Sequence, residues 1–412
     1  MIHPSSFNLP VFRILRACAL AICIPVAHAN EAASTASSNT IAASGTVDNA
    51  KREAAATVTH LLADPAFADS LSEEFGGAAA GNDKTASLAR VAHRYQAKLG
   101  QRAPGRDTSI QSRSAQTLHR LDQSLLAYKG IEKLSAGLLQ VRLYRPAEQS
   151  IAPIDLAQVL VAYEPPNDDK YWRTVDAYDR QGNLYRLDAR RAPDFPVLVI
   201  GVDGKEDLRA GLILANETLA AQGMQGALRA GARALQGRRA ATPIDVAKLD
   251  AVSLSNDEEP WVSGAAEVYA LVSGVQPSAG KAEIQLVELP YLQHPNKTYT
   301  PNQVLVYWDD FRFGAANVQL YEHDDNTNYK DLALALASGV TRIVGVFKPE
   351  FGMVAAVAQA VVQAMPSQWF TNDDDYLDSF YTLEKDRTYV NYPGAARNAT
   401  ITLTPYRLSS RS

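Results

Sequence analysis

The feature that most constrains this fold is a series of short apolar runs, with a period of two, in the last third of the chain. Turn-forming Gly, Pro and Asn residues separate the runs, which is typical of the strands of an antiparallel β-sandwich. One segment, 353–365, is apolar nearly all round and predicts a helix buried against the sandwich. The strand-like runs are 266–272, 284–287, 304–308, 318–321, 343–347, 380–383 and 400–403.

Acidic and amide side chains cluster at the ends of three of these predicted strands. Two carboxylates about 5 Å apart repel by roughly 1 kcal/mol in water, and by more at a protein surface, so converging turns would need a cation. Oxygen ligands suit calcium better than zinc or copper. The alternative is a set of ordinary surface turns, because Asp and Asn hydrogen-bond their own backbone there. The candidate calcium ligands are Asp309, Asp310, Glu322, Asp324, Asn326, Asp331, Asp373 and Asp375.

One of these acidic loops resembles the calcium-binding loop of a C2 domain. In that family a strand of alternating apolar residues leads into an acid-x-Asp motif, with another Asp several residues later. Here the strand 318–321 leads into Glu322-x-Asp324, and Asp331 follows. The resemblance implies a C2-like sandwich over 256–412 with these three acids as ligands. Glu322 stands where the family usually has Asp, and the buried helix is an addition, so membrane docking is not implied.

The N-terminus has the pattern of a cleavable secretion signal. Two arginines precede an apolar stretch, 17–26, and the small-x-small sequence Ala27-His28-Ala29 follows it. We therefore expect residues 1–29 to be removed and the protein to be secreted or periplasmic. Cys18 and Cys23 both lie in this signal, so the exported chain would contain no thiol and no disulfide.

Composition and periodicity predict an α+β protein with several domains. The chain has 45 acidic against 40 basic residues, which disfavours nucleic acid as a partner. No later apolar stretch reaches the length of a transmembrane helix. The predicted segments are a flexible leader at 30–48, a helical region at 49–135, a small β-rich domain at 136–215, a linker helix at 216–255 and the C2-like sandwich at 256–412.

Several phrases of the sequence also resemble a proteobacterial secreted family known as domain of unknown function 3103. The resemblance covers most of the chain after the signal and implies no activity. The phrases that carry it are Pro290-Tyr291-Leu292, Tyr299-Thr300-Pro301-Asn302-Gln303, 321–329 and 369–376.

These observations favour an exported, non-catalytic binding protein with a calcium-stabilised sandwich. Its ligand is not specified by the sequence, and glycan, lipid and protein are all candidates. Two alternatives remain open: a metal-assisted hydrolase that uses the clustered carboxylates, and a structural envelope protein. Separately, His323 between Glu322 and Asp324 could act as a general base, or it could simply lie at the strand end and point away from the ligands. No catalytic residue is assigned, because the sequence contains no HExxH, GxSxG or P-loop motif.

Overall fold

The computed structural model describes residues 46–77, 84–101, 108–146, 154–165, 172–228, 243–256, 260–277, 281–341, 350–364 and 376–409. The predicted signal, most of the predicted leader and the predicted strand 343–347 lie outside these ranges. The helices are 46–61 (α1), Pro65–Gly77 (α2), Leu88–Gly100 (α3), Ser109–Lys129 (α4), Gly204–Ala221 (α5), Tyr329–Thr341 (α6) and Glu350–Ala364 (α7). The strands are Lys84–Ser87 (β1), Leu139–Tyr144 (β2), Leu160–Tyr163 (β3), Thr174–Tyr178 (β4), Leu184–Asp188 (β5), Val197–Val202 (β6), Ile244–Leu254 (β7), Val268–Val275 (β8), Ala282–Glu288 (β9), Gln303–Tyr307 (β10), Ala315–Glu322 (β11), Tyr376–Glu384 (β12), Tyr389–Pro393 (β13) and Ala399–Leu408 (β14).

The N-terminal helices form because their apolar residues recur every three to four positions and their ends are capped. The side chain of Ser87 accepts a hydrogen bond from the Arg90 amide at the start of α3. Gly130 ends α4 in the left-handed conformation, with φ of 70°. The buried face of α3 consists of Leu88, Val91, Ala92, Tyr95 and Leu99.

These helices pack on a mixed six-stranded sheet with the strand order β1-β2-β6-β3-β4-β5. β3 and β6 run parallel, and the other neighbouring strands run antiparallel. One hydrophobic core contains residues of α1 to α4 together with residues of β1, β2, β3 and β6. The boundary predicted at residue 135 therefore falls inside a shared core, since the helices bury their apolar stripes on the sheet itself.

The C-terminal half contains two four-stranded antiparallel sheets, ordered β10-β7-β14-β13 and β12-β11-β8-β9. Alternate residues of both sheets form one core between them, as the period of two requires. The other face of the second sheet packs on α5, α6 and α7. The second sheet is consequently buried on both faces, and it lies between the first sheet and the helices.

Two parts of this half differ from the sequence-based prediction. The predicted linker helix at 216–255 is replaced by a strand from Ile244 onward, because β7 pairs along ten residues of the distant β14. The single predicted helix at 353–365 is observed as α7, and a second helix, α6, precedes it. α6 begins where the Asn328 side chain accepts hydrogen bonds from the Lys330 and Asp331 amides.

Candidate functional site

β11 separates the predicted calcium ligands into two groups. Asp309–Asp310 form a short turn before the strand, and Glu322 is its last residue. Along β11, Ala316 pairs with Gly274 of β8, whereas Glu322 pairs with Val268 at the other end of β8. Because a strand rises about 3.3 Å per residue, roughly 20 Å lies between the two groups. The predicted ligands therefore do not all meet at one site.

The turn before β11 places its two acids in different surroundings. Asp309 is exposed, whereas Asp310 is buried and its Oδ2 accepts a hydrogen bond of 2.9 Å from Gln285 Nε2. A three-residue 3-10 turn, Trp308–Asp310, produces this difference between adjacent positions.

The acids after β11 are also divided. Glu322 is buried, and the Asp324 carboxylate accepts a hydrogen bond from the Asn326 amide within the loop. Asp331, which the C2 resemblance places in this loop, is exposed in the first turn of α6. Within the described ranges, no group of three or more His, Cys, Asp or Glu side chains is arranged to hold a metal ion. Asp373 and Asp375 lie outside those ranges, and the calcium assignment stays a prediction.

The acid between Asp324 and Asn326 belongs to a buried cluster that the sequence reasoning did not identify. Charged side chains from three helices, from the residue after β3 and from the loop after β11 meet there. We call this group the charge cluster; its members are Asp48, Lys51, Lys129, Glu164, Asp207, His323 and Asp325.

Lys51 of α1 forms the centre of one half of the cluster. Its ammonium lies 3.2 Å from Asp325 Oδ2 and 3.7 Å from both Glu164 Oε2 and Asp48 Oδ1. The Lys51 side chain is only 3 % exposed, so its ion pairs with Asp325 and Asp48 form at low local dielectric. A contact across 274 residues of sequence thus fixes the loop after β11 to the first helix.

Asp207 of α5 forms the centre of the other half. Its Oδ2 lies 2.5 Å from Lys129 Nζ and 3.2 Å from His323 Nε2. The second ring nitrogen of His323, Nδ1, lies 2.7 Å from the Tyr329 hydroxyl. Lys129 also donates to the backbone carbonyl of Thr327. Both ring nitrogens of His323 therefore contact protein groups, and the ring is held between α5 and α6.

Two glycines provide space for these side chains. The Glu164 carboxylate lies against Gly201 of β6, at the place where any larger residue would put its Cβ. The Tyr329 ring lies in the same way against Gly211 of α5. A side chain at either position would displace a member of the cluster or a residue that contacts it.

The pKa shifts within the cluster reduce the excess of negative over positive charges among its side chains. Burial, and then the charge of Asp325, raise the pKa of Glu164 well above its ordinary value. Burial opposes the charged form of His323, but the hydrogen bond and charge of Asp207 outweigh it and raise the pKa of the imidazole. Burial likewise disfavours ionised Asp325, but Lys51 and His323 lower its pKa. With Glu164 neutral and His323 protonated, three aspartates face two lysines and one imidazolium.

A signal for this cluster was present in the sequence. Lys51 occupies the apolar stripe of α1 beside Ala54 and Ala55, and Lys129 continues the stripe of α4. Asp207 stands on the buried face of α5. A charged residue at a core position of an amphipathic helix requires a buried partner of opposite charge, but the helix sequence alone does not identify that partner.

The fold and the cluster define an α+β protein whose two halves are joined by buried ion pairs. A family model described as a protein of unknown function (DUF3103) matches residues 73–411, and the chain belongs to this family. No curated protein and no solved structure matches the chain. No helix in the described part combines the length and the apolar character needed to cross a bilayer.

The cluster contains two groups with raised pKa values, Glu164 and His323, beside two buried lysines. The His323 side chain is 1 % exposed and is engaged by Asp207 and Tyr329, so a role as general base would require the ring to leave both partners. The arrangement is suited to holding the loop after β11 in one conformation.

Proposed function

We propose that this protein is an exported, non-catalytic binding protein with a C2-like sandwich, and that the loop 322–328 binds calcium. One observation carries the proposal. Asp325 turns toward Lys51, whereas Asn326 Oδ1 is buried and makes no hydrogen bond within the described part of the chain. Asn326 follows Asp324 by two residues and Glu322 by four, and a buried carbonyl oxygen in an acidic loop is a favourable ligand for a hard cation.

Two further features support a C2-like module. Its eight strands form two four-stranded antiparallel sheets around a common core. β11 has apolar residues at alternate positions, and Glu322 and Asp324 lie at its C-terminal end. The charge cluster supports the same loop from the helix side, because Asp325 and His323 anchor it there. The reduced ligand set that we propose is Glu322, Asp324 and Asn326.

The experiment is a calcium response of the chain lacking residues 1–29. About 1 mM calcium added to the chelator-treated protein should raise its melting temperature, because a site of ~0.1 mM affinity contributes roughly 1.4 kcal/mol. The double variant Glu322→Gln with Asp324→Asn should lose this increase. Asp309→Asn, an exposed acid at the far end of β11, is the matched control and should retain it.

The result also separates the alternative functions. An unchanged calcium response in the double variant would contradict the proposed site. Turnover of an ester, phosphoester or peptide substrate that disappears in His323→Gln would favour the metal-assisted hydrolase. Binding of calcium-loaded protein to glycans, liposomes or proteins, lost in the double variant, would identify the ligand class of the binding protein, whereas a structural envelope protein predicts calcium stabilisation alone.

A further inference from the structure

The face of the second sheet that packs on the helices carries amide and hydroxyl groups in its middle. Successive residues of a strand point to opposite faces, so the helix side of β11 and β8 is defined by Tyr321 and Tyr269, which belong to the core shared with α5, α6 and α7. All residues on this side of the two strands are uncharged. They are Ala315, Asn317, Gln319 and Tyr321 of β11, and Tyr269, Leu271, Ser273 and Val275 of β8.

Asn317 has a protein partner for each end of its amide. Its Nδ2 donates to the Val354 carbonyl of α7 at 2.9 Å, and its Oδ1 accepts from the Thr382 amide of β12 at 3.0 Å. One amide on this face is thus satisfied by the neighbouring helix and strand, as buried polar groups usually are.

Gln319 and Ser273 lack such partners. Both residues are 0 % exposed. Gln319 Oε1, Gln319 Nε2 and Ser273 Oγ make no hydrogen bond to any residue in the described part of the chain. Ser273 pairs with Asn317, two residues before Gln319, so the two side chains are diagonal neighbours on one face. Diagonal neighbours lie about 7–8 Å apart, a span that one small group between the side chains can bridge.

α7 covers this part of the sheet with apolar side chains. It packs on β8, β11 and β12, and its two glutamines, Gln359 and Gln363, are exposed. An unpaired amide beside an unpaired hydroxyl is unfavourable in such an interface, so a partner from outside the chain is expected. The residues that α7 buries within the described ranges are Val354, Ala356, Val357, Ala358, Ala360 and Val361.

We propose that Gln319 and Ser273 form an internal binding site for a hydroxyl group, supplied by a water molecule or by a small neutral alcohol. A hydroxyl group donates and accepts hydrogen bonds, which matches the amide and the serine hydroxyl together. An ion would lack a counter-charge on this face, because its residues are uncharged. Water needs two to four polar partners, and an alcohol would in addition contact Leu271 and the valines of α7. The site does not involve calcium and is independent of the loop 322–328.

The first test is the sign of a change in stability, because an occupied site and an empty site predict opposite signs. Gln319→Met keeps an unbranched side chain of similar length and removes the amide. With a hydroxyl group bound, the variant loses hydrogen bonds, so its melting temperature should fall below that of the parent protein. Ser273→Ala should act in the same direction. Asn317→Leu is the matched control, since it removes an amide whose partners belong to the protein. A Gln319→Met variant with an equal or higher melting temperature would overturn the proposal, because removing an unsatisfied amide is neutral or stabilising.

A crystal structure of the chain without residues 1–29 distinguishes the two sources of the hydroxyl group and does not depend on any variant. An isolated peak of density in hydrogen-bonding distance of Gln319 and Ser273 identifies water, whereas density that continues from this point identifies a larger molecule. Absence of density there would overturn the proposal.

Benzyl alcohol is the solution probe for the second source, and toluene is the matched compound without the hydroxyl group. If the site accepts an alcohol, calorimetry should detect binding of benzyl alcohol that Gln319→Met weakens by about tenfold, the effect of one hydrogen bond. Toluene binding should not respond to this substitution. An isolated density peak without benzyl alcohol binding assigns the site to water, and benzyl alcohol binding that is equal in the parent protein and Gln319→Met would overturn the alcohol site.

Discussion

Acidic turns lie at both ends of β11, but their carboxylates have different kinds of partner. At one end Asp325 meets Lys51 and His323, and these partners come from other parts of the chain or from the same loop. At the other end Asp310 and Glu283 are oriented by glutamine amides of the same sandwich. An acid-rich turn therefore does not identify its own counter-ion. Only the tertiary fold decides whether that partner is an ammonium, a proton or a metal.

The largest expected effect is the loss of a lysine from the charge cluster. Lys129→Met leaves the buried Asp207 carboxylate without its ammonium, so we expect the free energy of unfolding to fall by about 3–5 kcal/mol. Urea denaturation of the two proteins measures the difference.

The matched control for this prediction is Lys98→Met. Lys98 pairs with Glu73 on the surface of α3, with 28 % and 48 % of the side chains exposed. Pairs of this kind contribute about 0–1 kcal/mol. If the two methionine variants were destabilised equally, the cluster would not be the element that joins the halves.

The next effect comes from filling the space beneath Tyr329. Gly211→Ala forces a methyl group into the tyrosine ring, which also contacts His323, so we expect a destabilisation of about 1–3 kcal/mol from overpacking. Gly76→Ala is the control, because no atom outside its own segment lies within 4 Å of the added Cβ. The control should be neutral or slightly stabilising, since Gly weakens a helix by about 0.5–1 kcal/mol relative to Ala. A Gly211→Ala variant as stable as this control would contradict the packing.

The sequence predicts the parts of this molecule that depend on local pattern. The alternation in 318–321 and the apolar character of 353–365 give a strand and a helix in the structure, and the α+β class is confirmed. The α6 helix was missed because the Asp and Asn residues before it also fit a metal-binding loop, although Asn328 is its cap. The charge cluster was missed for a different reason: its residues are far apart in sequence, and only the packing of α1, α4 and α5 brings them together.

A smaller effect is expected from pH, measured in chelator so that metal binding does not contribute. The folded-state pKa values of Glu164 and His323 are both raised, from ordinary values of 4.5 and 6.5. Above each of these pH values, the group in question keeps its proton in the folded protein more than it does in the unfolded chain. Stability should therefore fall as pH rises from about 5 to 8, by roughly 1.4 kcal/mol for each unit by which a pKa is shifted within that window. Urea denaturation across this range measures the slope.

The variant Glu164→Gln tests which of the two groups causes the pH dependence of stability. The glutamine amide cannot ionise, so the free energy of unfolding of the variant should no longer include the contribution of Glu164 to the pH dependence. Between pH 5 and 8 it should therefore fall less than that of the parent protein. Glu132→Gln, an exposed substitution of the same type, should leave the profile unchanged. A parent protein that became more stable between pH 5 and 8 would contradict the raised pKa values.

The smallest effect distinguishes the adjacent acids at the far end of β11. Asp309 is exposed, so Asp309→Asn should change the free energy of unfolding by no more than about 0.5 kcal/mol. Asp310→Asn changes a buried carboxylate that accepts a hydrogen bond from Gln285, so the free energy of unfolding should fall by about 1–3 kcal/mol. Urea denaturation of both variants in chelator measures the two values. A loss in Asp309→Asn as large as the loss in Asp310→Asn would remove the distinction between the exposed and the buried acid.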